Sequence, residues 1–275
     1  MRCFARLEWC ARGAWRRFAL ALGGAVAMWI WAPWLLVAPA LAQSVNATWV
    51  GSIPASGTVT RTILTGPGAP QTSATLGVER FDMQYNSGSI ANTFVGSGLP
   101  GRFYAFCIEP RQTINANQAV NYDFVPLDQG TTNLGGMGTV KAGLIAELFG
   151  RWLPNLDATI TSTQAAAFQV AIWEIVRELP GNPLDVFAGN IYFATPESPV
   201  GTLALAQTYV QSLTGTGPRA GGLYALNNGI MGDPAVSAGT QDLLVQVRVP
   251  EPGSMVLLGV GLAGLAALRR RRRMD

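Results

Sequence analysis

Two short stretches of this chain carry side chains that could react with each other. Cys107 lies in the run RFYAFCIE, whose aromatic and aliphatic residues are typical of a strand. Gln169 lies in the run AFQVAIWEI, whose apolar residues recur at helical spacing. A thiol becomes a nucleophile when it loses its proton, so Cys107 is the candidate nucleophile. Histidine is absent, which excludes a Cys-His dyad, a Ser-His-Asp triad and any zinc site that contains histidine.

Cys107 is also the single cysteine outside the first 42 residues, where Cys3 and Cys10 lie. Once those residues are removed, the chain cannot form an intramolecular disulfide, and a lone cysteine in an exported protein needs a reason. A structural interpretation stays open, because a cysteine in an aromatic strand is most often a buried, unreactive residue. A glutamine in an apolar helix is likewise most often a hydrogen-bonded core residue.

Together the two motifs resemble the thioester domains of bacterial surface proteins. Those domains pair an aromatic-Cys-aliphatic strand with a Gln-x-Ala-Ile-Trp helix, and the resemblance implies an internal thioester between Cys107 and Gln169. Such a bond forms with loss of ammonia, and an amine on a partner can open it. The family's Thr-Gln-x-Ala motif is altered here, since Phe168 stands in the place of its threonine. A literal TQAA occurs five residues earlier without Ile-Trp after it, which makes Gln164 the second choice.

The reaction needs a proton acceptor and a site that excludes water. Without histidine, a carboxylate such as Glu109 or Glu174, or the backbone, must take the proton, and the sequence does not choose among them. Apolar walls formed by Phe106, Phe168 and Trp173 would protect a stored acyl group from hydrolysis. Such a protein acts once per molecule, so we predict no turnover enzyme, no cofactor and no metal.

A second pair of acids lies one helical turn apart on the same predicted helix. Glu174 and Glu178, with Arg177 beside them, could suggest a catalytic pair or a metal site. Charged residues at this spacing more often form a solvated helix face. We therefore predict that these three side chains are exposed.

The elements that position these residues form an α+β pattern. Strands are predicted from short β-branched and aromatic runs punctuated by Gly and Pro, and helices from apolar residues at helical spacing. The fold class is a β-rich sandwich or barrel-like domain with an inserted helical subdomain of about three helices, flanked by an N-terminal signal helix and a C-terminal apolar helix. Predicted strands cover 48–51, 57–64, 73–78, 80–85, 102–109, 122–125 and 242–249, and predicted helices cover 140–152, 162–179 and 200–213.

Residues 1–42 have the features of a secretory signal peptide. Five arginines precede an apolar stretch from Phe18 that ends in Ala40-Leu41-Ala42, and cleavage is predicted between Ala42 and Gln43. The Arg16-Arg17 pair leaves the twin-arginine route open beside the general secretory route, which we favour.

Residues 250–275 contain three successive elements of a sorting signal. Pro250-Glu251-Pro252 is followed by an uncharged apolar run from Met255 to Leu268 and then by five arginines. The run is shorter than the ~20 residues of a relaxed membrane-spanning helix, and the arginines hold a terminus on the cytoplasmic side. This layout resembles the PEP-CTERM signal of Gram-negative bacteria, and an ordinary C-terminal anchor is the alternative. The resemblance implies an exosortase-type processing enzyme, a transient membrane segment, export through the inner membrane, and a cell-surface or extracellular-matrix location.

The mature region, 43–249, is the predicted α+β domain resembling thioester domains. It holds nine basic and 13 acidic residues, a net charge of 9 − 13 = −4, so the sequence predicts no nucleic-acid partner. We predict an adhesion module whose thioester attaches to amines of a host or matrix molecule, or to an exopolysaccharide. The alternative is a non-covalent structural or carbohydrate-binding envelope protein with the same fold and no thioester. A hydrolase is disfavoured, because the chain lacks histidine and an evident acid pair.

Overall fold

The structure, a computed structural model, describes residues 43–63, 72–90, 93–132, 135–228, 240–248, 259–263 and Arg269. These residues belong to one unit that begins at Ala42. The predicted sorting residues Pro250, Glu251 and Pro252 and the predicted cleavage residue Ala42 lie outside the described residues. Gln43, on the other side of the predicted cleavage site, is the first residue of the first strand.

Eleven strands and three α-helices make up the described part of the chain up to residue 248. The strands are β1 (Gln43–Ser52), β2 (Gly57–Ile63), β3 (Thr72–Val78), β4 (Phe81–Gly88), β5 (Arg102–Cys107), β6 (Ala119–Pro126), β7 (Thr131–Thr132), β8 (Gly135–Gly136), β9 (Ile191–Ser198), β10 (Leu223–Asn227) and β11 (Leu243–Gln246). The helices are α1 (Gly138–Trp152), α2 (Ser162–Arg177) and α3 (Thr202–Gln211), and a 3-10 turn covers Leu127–Gln129.

Six of the strands close into an antiparallel barrel in the order β1-β4-β5-β11-β10-β6. A separate antiparallel sheet has the order β3-β2-β9, and β7 pairs with β8. Strand β5 is buried on both faces, as a strand is when it has a packed layer on each side. On one face Phe106 packs against the helices, through Phe149 and Phe168. Successive side chains of a strand point to opposite faces, so Phe103, Ala105 and Cys107 point to the other face.

Helix α2 is buried all round. Its residues from Ala165 to Arg177 are all buried, because the helix contacts α1, α3, β2, β3, β5 and β9. A helix that is covered on every side lies in the centre of a domain rather than on its surface. Three consecutive alanines, Ala165–Ala167, leave space for this close packing. The helix therefore positions Gln169 and Trp173 deep in the core.

The start of α2 is held by reciprocal hydrogen bonds. The Gln164 amide donates to Oγ1 of Thr161 at 3.2 Å, and the Thr161 amide donates to Oε1 of Gln164 at 2.8 Å. This capping box satisfies donors that have no partner inside the helix.

Removing the cap should weaken the fold by a small, measurable amount. We expect Thr161→Ala to lower the free energy of unfolding by about 1 kcal/mol, because an N-cap hydroxyl is lost. Urea denaturation checks this, and Thr208→Ala in α3, whose hydroxyl bonds its own helix at Ala204, is the control. Equal losses in the two variants would contradict a specific capping role.

The α+β fold class is confirmed, and the barrel alternative is the one observed. All three predicted helices are found, with ends shifted by a few residues. No strand was predicted at β7, β8, β9 or β10. Pro196 and Pro199 in and after β9 speak against a strand, and β10 is only five residues long in a stretch rich in glycine.

The predicted C-terminal apolar helix is described only at 259–263, and these residues are helical. The predicted signal helix lies outside the described residues. Within the described part of the chain, the structure contains no helix of the length and hydropathy needed to cross a membrane.

Candidate functional site

The two candidate residues, 62 positions apart in the sequence, are in direct contact. The backbone N–H of Cys107 donates to Oε1 of Gln169 at 2.8 Å, and Nε2 of Gln169 donates to the Cys107 carbonyl at 2.7 Å. Cys107 has no exposed surface and Gln169 has 1%. The structure therefore brings together the thiol residue and the amide that the sequence paired.

Gln169 takes the place of a missing strand beside Cys107. Ile108 donates its N–H to Asp242 of the β11 side, so the N–H and C=O of Cys107 point the opposite way. On that side the last pair between β4 and β5 joins Phe81 to Ala105, two residues before Cys107. The side-chain amide of Gln169 supplies one acceptor and one donor, and so completes the ladder where the backbone of β4 ends.

The Cys107 sulfur lies among three hydrogen-bonding groups. Nε1 of Trp173 donates to Sγ at 3.3 Å, and Nε2 of Gln241 also donates to it. The thiol in turn donates to the backbone carbonyl of Glu109 at 3.1 Å. Two N–H groups directed at the sulfur favour negative charge on it, as a leaving or attacking thiolate requires.

Burial is the dominant influence on this thiol and keeps it protonated. Burial raises the pKa of Cys107 well above its ordinary value, and the Glu109 charge raises it further. The hydrogen bonds from Trp173 and Gln241 lower the pKa but do not reverse the effect. The resting thiol is therefore a poor nucleophile toward reagents in solution.

Of the two predicted proton acceptors, only Glu109 lies beside the thiol. Its backbone carbonyl accepts the Cys107 hydrogen bond, while its carboxylate accepts from the Arg111 backbone at 3.2 Å and lies 3.8 Å from Arg177. Glu174 instead accepts from the Asp185 backbone at 2.9 Å. The hydrogen-bond acceptor of the resting thiol is thus a backbone carbonyl.

The three predicted apolar walls are all buried beside the pair. Phe106 stacks on Phe168 with ring centroids 6.0 Å apart, and Trp173 stacks on Phe193 at 6.4 Å. Aromatic side chains therefore exclude water from the Cys107 and Gln169 side chains, as a stored acyl group would need.

Two other sequence predictions have different outcomes. Gln164, the second choice, is engaged in the capping box five residues before Gln169, on a different side of the helix. The prediction that Glu174, Arg177 and Glu178 form a solvated face is wrong, since each is at most 2% exposed. The cause is the all-round burial of α2, which helical periodicity alone did not indicate.

Gln241 is the site residue that the sequence analysis missed. It lies just before β11 and 134 residues from Cys107, so only the antiparallel pairing of β5 with β11 brings the two together. No local motif marks it, and its position could be inferred only from the barrel's strand order.

Comparisons with known proteins identify one part of the chain. Residues 248–272 match the PEP-CTERM protein-sorting motif, which confirms the C-terminal sorting signal predicted from the sequence. Searches of curated proteins and of solved structures found no match. The motif is recognised by exosortase, so the chain is an exported, surface-sorted protein of the Gram-negative type, and an exosortase is its processing partner.

Proposed function

We propose that the mature domain is a surface adhesion module in which Cys107 and Gln169 condense into an internal thioester. The observation that carries this proposal is the buried contact between the two residues, which places a thiol residue and a primary amide side by side. Holding two reacting groups in fixed contact supplies a large part of the rate of an otherwise slow acyl transfer.

The surrounding groups suit each step of this reaction. The Cys107 sulfur attacks Cδ of Gln169, the S–C bond forms, the C–N bond breaks, and ammonia leaves with the hydrogen of the thiol. The backbone N–H of Cys107, at 2.8 Å from Oε1 of Gln169, stabilises negative charge that develops on this oxygen. Trp173 and Gln241 stabilise charge on the sulfur. The reaction needs no oxidant, metal or cofactor.

The expected product stores an acyl group for a single use. A primary amine on a partner attacks the thioester carbon, the C–S bond breaks, and Cys107 regains its thiol as an amide forms at Gln169. Amines of a host or matrix molecule, or of an amine-bearing exopolysaccharide, are the proposed partners. Because the acyl group is consumed, the domain does not turn over as an enzyme.

The intact mass of the mature domain, residues 43–249, tests this proposal. We expect the wild-type mass to be low by one ammonia and the Cys107→Ala and Gln169→Ala masses to equal their full calculated values. Incubation with methylamine should add one methylamine to the wild type and none to these two variants, and peptide mapping should place it on Gln169. Gln164→Ala is the matched control, because it removes a glutamine from the same helix and should keep the ammonia loss.

A non-covalent envelope protein is the second candidate, and one observation favours it. The Gln169 amide completes the hydrogen-bond ladder at Cys107 without any covalent bond, and the protonated thiol fits a permanent core residue. A full wild-type mass, with Cys107 alkylated only after unfolding, would overturn the thioester and leave this structural or carbohydrate-binding function.

A further inference from the structure

Three arginines lie near Glu109, the residue whose backbone carbonyl accepts from the Cys107 thiol. Arg61 comes from β2, Arg111 from the turn after β5, and Arg177 from the last residue of α2. We call these three residues the arginine cluster. Arg177 is 1% exposed, Arg61 is 7% exposed, and Arg111 is half-buried.

The arginine cluster contains buried N–H donors that have no acceptor. Among the described residues, Nε and Nη1 of both Arg61 and Arg177, and Nη2 of Arg111, have no hydrogen-bond partner. Nη1 of Arg177 lies 3.8 Å from Oε2 of Glu109, which is an ion-pair distance but too long for a hydrogen bond. Unpaired donors on buried cations are costly, so a native fold keeps them where something satisfies them.

The charges in the cluster are also unbalanced. Burial lowers the pKa of Arg61, and the neighbouring Arg111 charge lowers it further, which Glu109 partly offsets. Burial also lowers the pKa of Arg177, and the Glu109 charge opposes this shift. The cluster thus holds three guanidinium groups around one carboxylate, and its own positive charges repel one another.

We propose that the arginine cluster is a binding site for an oxyanion, a carboxylate, sulfate or phosphate group. Guanidinium groups bind such groups through paired N–H donors, and the unpartnered atoms of Arg61, Arg111 and Arg177 are donors of this kind. The group enters from the side of Arg61 and Arg111, the two more exposed members, and Arg177 forms the base. The site does not depend on the thioester.

The oxyanion has two possible sources in the surroundings of an exported protein. It is either a free inorganic anion or a charged group on an acidic polysaccharide, such as a uronate. Both offer the same oxygen acceptors to the cluster, so the experiment uses sodium sulfate, monomeric glucuronate and a linear polyuronate as separate probes.

Thermal unfolding of the purified exported protein measures the binding. We expect the unfolding temperature to rise saturably with sulfate and not with sodium chloride at equal ionic strength, since a ligand that binds the native state stabilises it. Arg61→Gln and the half-buried Arg111→Gln should each weaken the apparent affinity by about tenfold or more. Arg248→Gln is the matched control, because its side chain is 67% exposed.

The outcomes distinguish a free anion from an acidic polysaccharide, and they distinguish the anion site from the thioester. A response to polyuronate and glucuronate assigns the polysaccharide source, and a response to sulfate alone assigns a free anion. Cys107→Ala should keep the response, so loss of the thioester and loss of the anion site are distinguishable. Equal responses to sulfate and chloride, or responses unchanged in both Arg61→Gln and Arg111→Gln, would overturn the anion site.

Discussion

Replacing Phe168 with alanine should lower the free energy of unfolding by about 3–5 kcal/mol. The Phe168 ring contacts rings from three other elements, with centroids 6.0 Å from Phe106 of β5, 5.4 Å from Phe149 of α1 and 5.0 Å from Tyr209 of α3. Its removal leaves a cavity where the barrel meets the helices, and packed neighbours relax into such a space only partly.

Urea denaturation of the mature domain measures this loss, and the chain offers a matched control. Phe187 is 52% exposed, so Phe187→Ala makes the same chemical change without opening a core cavity and should cost less than about 1 kcal/mol. Similar losses in the two variants would show that Phe168 does not join the helices to the barrel as described.

Glu174→Gln should make the domain more stable at pH 8 and leave its stability almost unchanged at pH 4. Burial raises the pKa of Glu174 to about 8 from an ordinary 4.5, and the nearby Glu178 and Asp185 charges add to this rise. Oε1 accepts from the Asp185 backbone, and among the described residues Oε2 has no hydrogen-bond partner. Ionisation of Glu174 therefore places a carboxylate in the core that has a hydrogen-bond donor for only one of its two oxygens among the described residues.

The direction of this pH dependence follows from the pKa of Glu174 in the unfolded state, about 4.5, and in the folded state, about 8. Below about 4.5 the acid is protonated in both the folded and unfolded states, so it contributes no pH dependence. Between 4.5 and about 8 the unfolded state loses its proton first, and stability falls as the pH rises. At about 1.4 kcal/mol for each pH unit between the two pKa values, the loss of stability has an upper bound on the order of 5 kcal/mol.

Denaturation at pH 4, 6 and 8 checks this, with Asp123→Asn as the exposed control. The wild-type curve should keep part of its slope in Glu174→Gln, because burial also raises the pKa of Glu79 to about 7. A gain from Glu174→Gln that is the same at pH 4 and pH 8 would mean that Glu174 is not protonated by burial.

Local patterns predicted the three α-helices of the domain and the central pair of residues, but not the surroundings of that pair. The Cys107 and Gln169 motifs could be found because each lies within one element with a regular apolar pattern. Gln241, Arg61 and the burial of Glu174 depend on which strands and helices become neighbours. Those contacts join residues far apart in the chain, and periodicity within one element carries no information about them.

The charged residues at the end of α2 also show why the pattern within one helix does not indicate burial. The last four positions of the helix and the residue after it include three charged side chains, those of Glu174, Arg177 and Glu178, a spacing typical of an exposed face. In the fold, Glu178 accepts from the Asn190 backbone at 2.9 Å and from Asn182 at 2.6 Å, so a loop rather than water surrounds it. Tertiary hydrogen bonds of this kind cannot be inferred from the helix alone.

The pairing of β5 with β11 gives the proposed adhesin a definite mechanical behaviour. Cys107 ends β5 and pairs with Leu243 at the start of β11, while the sorting motif begins two residues after the end of β11. In the proposed adhesin the partner is joined to Gln169 of α2, whose side-chain amide is hydrogen-bonded to the backbone of Cys107. Tension toward an anchored C-terminus therefore reaches the ladder at the Cys107 end of β5 and leaves it at the opposite end of β11. Such a pull shears the ladder and loads its hydrogen bonds together, because those bonds lie across the strand direction. The same strands pulled from one end would separate bond by bond, at lower force.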